Sequence, residues 1–218
     1  MRHAFSMGNA RQEFSGTVDV PLAPEGEQAV RDYRAQGVYA RDCATQRYYS
    51  SPLTRCLQTF HLAFDGVAEL DGVIEAFHEI DFGELEGATM GPEEVRAFFA
   101  RWTAGEPEPL APHLEIYVHL RDRGVGAVRD LALRCAGEGV DSVTVVTHSA
   151  ISRAILGGMA GLPADSWLYI PMPNALGYAL ELEADAAADP ADPAAVRLVR
   201  ATPFGPDAAE RPTIEPQA

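Results

Sequence analysis

Ser142–Thr147, read Ser-Val-Thr-Val-Val-Thr, narrows the choice of fold more than any other stretch of this chain. It is a near-continuous β-branched run. Such a run reads as a strand covered on both faces, the kind found inside parallel sheets. A helical pattern over Ala150–Met159 follows at once. The same order occurs earlier, where Gln46–Ser50 reads as a short strand and Thr54–Phe64, with Leu57, Phe60 and Leu62, as a helix. Strands alternating with helices predict an α/β fold with a largely parallel sheet.

The remaining segments fit this frame. Residues 4–26 read as a loop, and Pro24-Glu25-Gly26 opens a helix running to about Ala35. Val73–Phe77 is a weak strand, and Glu93–Trp102 is a helix with Val95, Phe98, Phe99 and Trp102 on one face. Pro107, Pro109 and Pro112 break the chain after it. Tyr117–Cys135 reads as a long helix with Val118, Val125, Val128, Leu131 and Cys135 as its apolar stripe, weakened in the middle by Gly124 and Gly126. Gly177–Glu183 and Val196–Ala201 read as two strands joined by an Ala-Asp-Pro linker. Residues 1–202 are expected to form one domain. Residues 203–218, with Pro203, Pro206, Pro212 and Pro216, are expected to be a disordered tail.

Charge narrows the partners. With 32 acidic residues against 17 Lys and Arg, the protein carries a net charge of −15. Such a surface repels nucleic acid and anionic lipid. It would repel a phosphorylated substrate too, unless arginines gather locally to reverse the potential. No apolar run approaches the ~20 residues that span a bilayer, and no apolar signal segment follows Met1-Arg2-His3. Cys43, Cys56 and Cys135 are odd in number and widely spaced, which fits a reducing cytoplasm better than a disulfide framework or a zinc site. A homodimer is compatible with these features.

Ligands of open α/β sheets gather at the carboxyl ends of strands. His148 ends the β-branched run there, so the N–H groups of Ser149 and Ala150 are expected to point at an anion. Ser51 and Arg55 occupy the equivalent place after Gln46–Ser50. Arg2 and His3 supply a second arginine and histidine, and Glu79, before the Gly83 turn, supplies a carboxyl group able to move a proton. Each has an ordinary reading when taken singly. His148 reads as a cap, Arg55 as a solvated helix residue, and Glu79 as one acid among Glu75, Asp81, Glu84 and Glu86. His61, His78, His113 and His119 have no metal-ligand spacing and read as surface residues.

Taken in order, these blocks resemble the histidine phosphatase superfamily, which includes the cofactor-dependent phosphoglycerate mutases. Arg2-His3 is similar to that family's Arg-His-Gly signature, with Ser6 and Asn9 at the expected offsets. Phe14-Ser15-Gly16 with Asp19, Pro21, Leu22 and Gly26 resembles the next block, and Ser51-Pro52-Leu53-Thr54-Arg55 with Gln58-Thr59 the second. Glu79 through Gly87 and Val145-Val146-Thr147-His148 resemble the third and fourth. The resemblance implies a phosphoglycerate mutase-like, three-layer α/β/α sandwich. It implies His3 as a nucleophile that becomes a phosphohistidine, with Arg2, Arg55 and His148 holding the phosphoryl oxygens. Glu79 would be the acid and base, with Asn9, Ser15, Gly16 and Ser149 lining the pocket. Residues 88–119 would cover the site. No metal or cofactor is implied, and the partner would be a small phosphorylated metabolite.

The sequence also departs from that pattern. Ala4 and Phe5 replace the signature's Gly and the acid often found next, and Ser149-Ala150 replaces Gly-rich sequence after His148. Where the mutases place basic residues that grip a carboxylate and a second phosphate, this chain has Met90, Arg96 and Arg101 amid Glu93, Glu94, Glu106 and Glu108. Hydrolysis is therefore expected over phosphomutase activity. A non-catalytic phospho-ligand-binding protein is the reading from a different class. A central strand is expected before Arg2-His3, yet only Met1 stands there, so the first strand is missing or truncated. The expectation is a start several codons late; the alternative is a variant with an altered sheet.

Overall fold

The computed structural model describes residues 1–105, 111–189 and 191–217. In sequence order its elements are α1 (Met7–Arg11), α2 (Pro24–Ala35), α3 (Val38–Asp42), β1 (Arg47–Ser50), α4 (Thr54–Phe64), β2 (Gly72–Val73), α5 (Pro92–Thr103) and α6 (Tyr117–Glu138). β3 (Val143–Val146), α7 (Ser149–Ala160), β4 (Gly177–Ala184) and β5 (Val196–Phe204) follow. Pro107 and Pro109, expected to break the chain, lie outside the described residues, as do Glu106, Glu108 and Pro190.

β2, β1 and β3 form a parallel sheet in that order, with Tyr48 opposite Thr144 and Tyr49 opposite Val145. β4 and β5 form a second, antiparallel pair. Helices cover both faces. Val30, Tyr39, Phe60 and Phe64 from α2, α3 and α4 pack on one side with Val146. Leu120 and Leu131 of α6 and Ile151 and Ile155 of α7 pack on the other. The result is an α/β/α sandwich with a mostly parallel centre.

Three local expectations change. Within residues 4–26, α1 forms because Ser6 and Asn9 make a reciprocal capping box, a signal too short for periodicity to show. The buried face of α6 keeps Val125, Leu131 and Cys135 of the expected stripe and adds Tyr117, Leu120 and Gly124, while Val118 is exposed. Gly124 does not break this helix. A Cβ there would lie 2.6 Å from Ile151 Cδ1, so the glycine lets α6 and α7 approach closely.

The tail is corrected as well. Ile214 is buried and bridges Ala201 of β5, and Gln217 N–H donates to Ala160 O at 2.9 Å. Buried Arg211 donates to the carbonyls of Gly177 and Phe204. These contacts fasten residues 205–217 to β4, β5 and α7, where a disordered tail was expected.

The expected central strand is present as a stub between β3 and β4. On the β3 side, the Met1 amino group donates to Val145 O (2.6 Å), Thr147 N–H to Met1 O (2.8 Å) and His3 N–H to Thr147 O (2.8 Å). On the other side Arg2 N–H donates to Leu176 O (2.8 Å). Beyond Met1 the two sheets part around a cavity of about 540 Å³, lined by Val143, Val145, Leu180, Leu182 and Leu131 among others. Val143 and Val145 are consequently only half-buried, although their β-branched run read as a fully covered strand.

Candidate active site

The stub delivers His3 to the carboxyl end of β3. Its backbone is held on both sides, because Ala175 N–H (3.2 Å) and Asn174 Nδ2 (3.1 Å) donate to His3 O. The ring is 4% exposed. Its Nδ1 lies 2.7 Å from Ala4 O, and a carbonyl can only accept, so Nδ1 carries the proton. Nε2 is left with a lone pair. Burial, then the positive charge of Arg2 and Arg55, holds the imidazole well below its usual pKa. His3 is therefore neutral at neutral pH. Ala4 fills the glycine position without strain, since it is not among the residues with positive φ, and its N–H donates to Thr59 Oγ1. Phe5 turns its carbonyl to Ala23 at the start of α2.

His148 caps α7 and sits beside His3, with ring centroids 5.1 Å apart. Arg55 Nε–H donates to His148 Nδ1 at 3.2 Å, so the remaining ring proton sits on Nε2 and is donated to Ser51 Oγ at 2.7 Å. Both nitrogens are engaged. His148 thus orients Arg55, while its Nε2 proton lies on Ser51. The Arg55 guanidinium also donates to the carbonyls of Val18, Ser15 and Gly16. Ser15 and Gly16, expected to line the pocket, act on Arg55 through their backbone. That loop is tied down by Glu86, whose carboxylate accepts from the N–H groups of Gly16, Thr17, Val18 and Phe82. Gly16 is required there, because a Cβ would fall 1.9 Å from Ile80 O.

Glu79 changes the expected picture most. Its carboxylate accepts from Ser149 N–H (2.9 Å), Ala150 N–H (3.0 Å) and Ile151 N–H (3.0 Å). The helix N-terminus expected to meet a substrate anion is occupied by the protein's own carboxylate. Ser149 Oγ instead accepts from Arg153 Nη1 at 2.6 Å. Asn9 accepts from Ser6 N–H and from Asn174 Nδ2, at the edge of the His3 clamp. His78, expected at the surface, is half-buried with Nδ1 at 2.6 Å from Glu79 O.

Arg153 was not singled out in the sequence. It lies one helical turn after Ser149, a spacing that places it on the same side of α7 and that could have flagged it. Its Nε–H donates to Ile170 O, as Arg2 Nη1 does to Met172 O. Burial, with Arg153 and Arg55 nearby, pulls Arg2 down to about 10, so it stays charged. Burial lowers Arg55 and Arg153 too, while the Glu79 charge partly offsets this in both. Three guanidiniums gather around Glu79, with Asp19 and Glu86 also close to Arg55, so arginines are concentrated here inside a protein of net charge −15. The Arg2 Nε–H is buried without an acceptor. Among the described residues, no His, Cys, Asp and Glu side chains group as a metal site.

A family model for the histidine phosphatase superfamily (branch 1) matches residues 1–188. A 2,3-bisphosphoglycerate-dependent phosphoglycerate mutase from Caulobacter sp. (strain K31) is 26% identical over 213 residues, covering 85% of this chain and 89% of the mutase. Phosphoserine phosphatase from Entamoeba histolytica, solved with 3-phosphoglyceric acid, superposes with a TM-score of 0.67 at 22% identity, covering 83% of this chain and 87% of that one. The alpha-ribazole phosphatase of Shigella flexneri superposes with a TM-score of 0.67 at 17% identity, covering 84% and 89%.

Proposed function

Because the chain belongs to the histidine phosphatase superfamily, we propose that it is a metal-independent phosphatase hydrolysing a small phosphate monoester through a phosphohistidine on His3. The observation that carries this reading is the neutral, buried His3, with Nε2 open beside an Arg2 whose Nε–H lacks an acceptor. The gathered guanidiniums suit a dianionic phosphate, and their planar forks suit its equatorial oxygens.

In the first step His3 Nε2 attacks phosphorus, the P–O ester bond breaks, and the departing oxygen takes a proton from the Glu79 carboxyl group. In the second, Glu79 takes a proton from water. The water oxygen attacks phosphorus, the P–N bond breaks, and inorganic phosphate leaves with His3 neutral again. A protonated Glu79 gives up one of its α7 N–H contacts, and a phosphoryl oxygen is the acceptor that takes this donor over. Arg2, Arg55 and Arg153 balance the charge on the transferring group, and His148 keeps Arg55 in place. The three cysteines are buried and unpaired, which supports a cytoplasmic setting. Among the described residues no helix is long and apolar enough to cross a membrane.

Rapid mixing with substrate and an alkaline quench should trap acid-labile phosphate on His3, and His3→Ala should abolish both label and turnover. Full hydrolysis by His3→Ala would remove the mechanism. Likeness to the Caulobacter mutase gives a second reading, phosphoryl transfer within a phosphoglycerate. The acids Glu93 and Glu94 beside Arg96 in α5 weigh against a second anion site there. Movement of phosphate between phosphoglycerate positions, dependent on a bisphosphate primer, would select the mutase.

A further inference from the structure

The segment that carries Glu79 has an unusual support. Arg123, on α6, uses all of its guanidinium donors on two neighbours. Nε–H and Nη2 grip the Glu115 carboxylate side-on at 3.0 and 2.8 Å. Nη1 donates to Ala76 O (2.8 Å) and His78 O (3.0 Å), and Nη2 also reaches Glu79 O (3.4 Å). Thr147 Oγ1 donates to the intervening carbonyl of Phe77 (2.7 Å). Four consecutive carbonyls, from Ala76 to Glu79, are thus held from outside their own segment. The pair is mostly shielded, with 19% of the Arg123 and 13% of the Glu115 side chain exposed. Glu115 extends the grip, since its carboxylate accepts from Asp81 N–H and its own N–H donates to Asp81 O.

We propose that Arg123 is the positioning residue for Glu79. It fixes the backbone curve that aims the carboxyl group across the N-terminus of α7 at the departing oxygen. The inference rests on Glu79 as the proton donor. Arginine is required because a planar fork with five donors can hold three carbonyls and a carboxylate at once, whereas lysine offers three donors from one point. Proton delivery depends on placement within a few tenths of an ångström, while phosphoryl transfer to His3 depends on the arginine cluster, which Arg123 does not touch.

The test uses two substrates, glycerol phosphate, whose alkoxide needs a proton to leave, and para-nitrophenyl phosphate, whose phenolate does not. Arg123→Met combined with Glu115→Gln removes the guanidinium without stranding a buried carboxylate. In kcat/KM, which reports the steps through phosphohistidine formation and not the attack of water common to both substrates, it should slow glycerol phosphate by roughly 10- to 100-fold and para-nitrophenyl phosphate by less than about threefold. Arg123→Lys should show the same selectivity to a smaller degree, and it carries the test if the double variant does not fold. Adding Glu79→Gln should cause no further loss on glycerol phosphate. Equal slowing of both substrates, or of neither, would overturn the positioning role. Glu79→Gln alone, on the same pair, separates the two failures. If it is selective and the Arg123 variants are not, only the positioning role falls; if it is itself unselective, the proton-donor reading falls and takes the inference with it.

Discussion

His3 shows how much of a residue's chemistry its surroundings set. Burial and two guanidiniums depress its pKa, so it stays neutral as pH falls past the ordinary histidine value of 6.5. Corrected for ionisation of the substrate, the acid limb of kcat/KM should lie below that value, and a limb at or above it in a pH–rate profile would contradict the assignment. The sign for stability is the same. The unfolded imidazole binds a proton near pH 6.5 and the folded one does not, so stability present above that pH is lost as pH falls toward the folded value. His3, Arg55, Glu79 and His148 were legible as candidates from their places at element ends. Which atoms they use was not. That His148 orients Arg55, and that Glu79 occupies the α7 N-terminus, follows from contacts between residues about 70 to 93 positions apart.

At the scale of elements, the loop over Ser15–Asp19 joins α4 to the site. Arg55 takes the loop's carbonyls, Glu86 takes its N–H groups, and Asp19 caps α4 from outside. The Asp19 carboxylate accepts from Thr54 N–H (2.7 Å) and Thr54 Oγ1 (2.6 Å), which matters because Leu53 at the N-cap offers no side-chain acceptor. Asp19→Ala should cost about 1 kcal/mol of stability, as the loss of a capping oxygen does, measured by urea unfolding. It should also weaken substrate binding, because the loop that carries the Arg55 acceptors is freed at one end. An unchanged midpoint would mean that solvent replaces the cap. The helices α2, α4, α5, α6 and α7 were readable from periodicity and start signals. The five-residue α1 and the cap on α4 were not, since one has no period and the other comes from 35 residues away.

At the scale of the whole molecule, Met1–His3 link β3 to Leu176 just before β4, and the cavity beside them leaves Val143 and Val145 half-covered. The residues that follow β5 compensate on the far side, where Ile214 is 7% exposed against Ala201. Ile214→Ala should lower stability by about 2–5 kcal/mol, read as a drop in Tm, whereas a silent substitution would return these residues to the disordered tail that their prolines suggested. The proline-rich composition misled because it reports what a segment can form by itself, not what it can lie against. By itself, the order of strands, helices and polar motifs determined the α/β class, the parallel core and the candidate site residues, because periodicity and element ends are local properties. Only the tertiary structure decided which distant groups each charged side chain meets, and that Arg153 and Arg123 lie beside Glu79. Those outcomes depend on which distant backbone groups come within hydrogen-bond reach once both faces of the sheet are covered, and no local pattern encodes that.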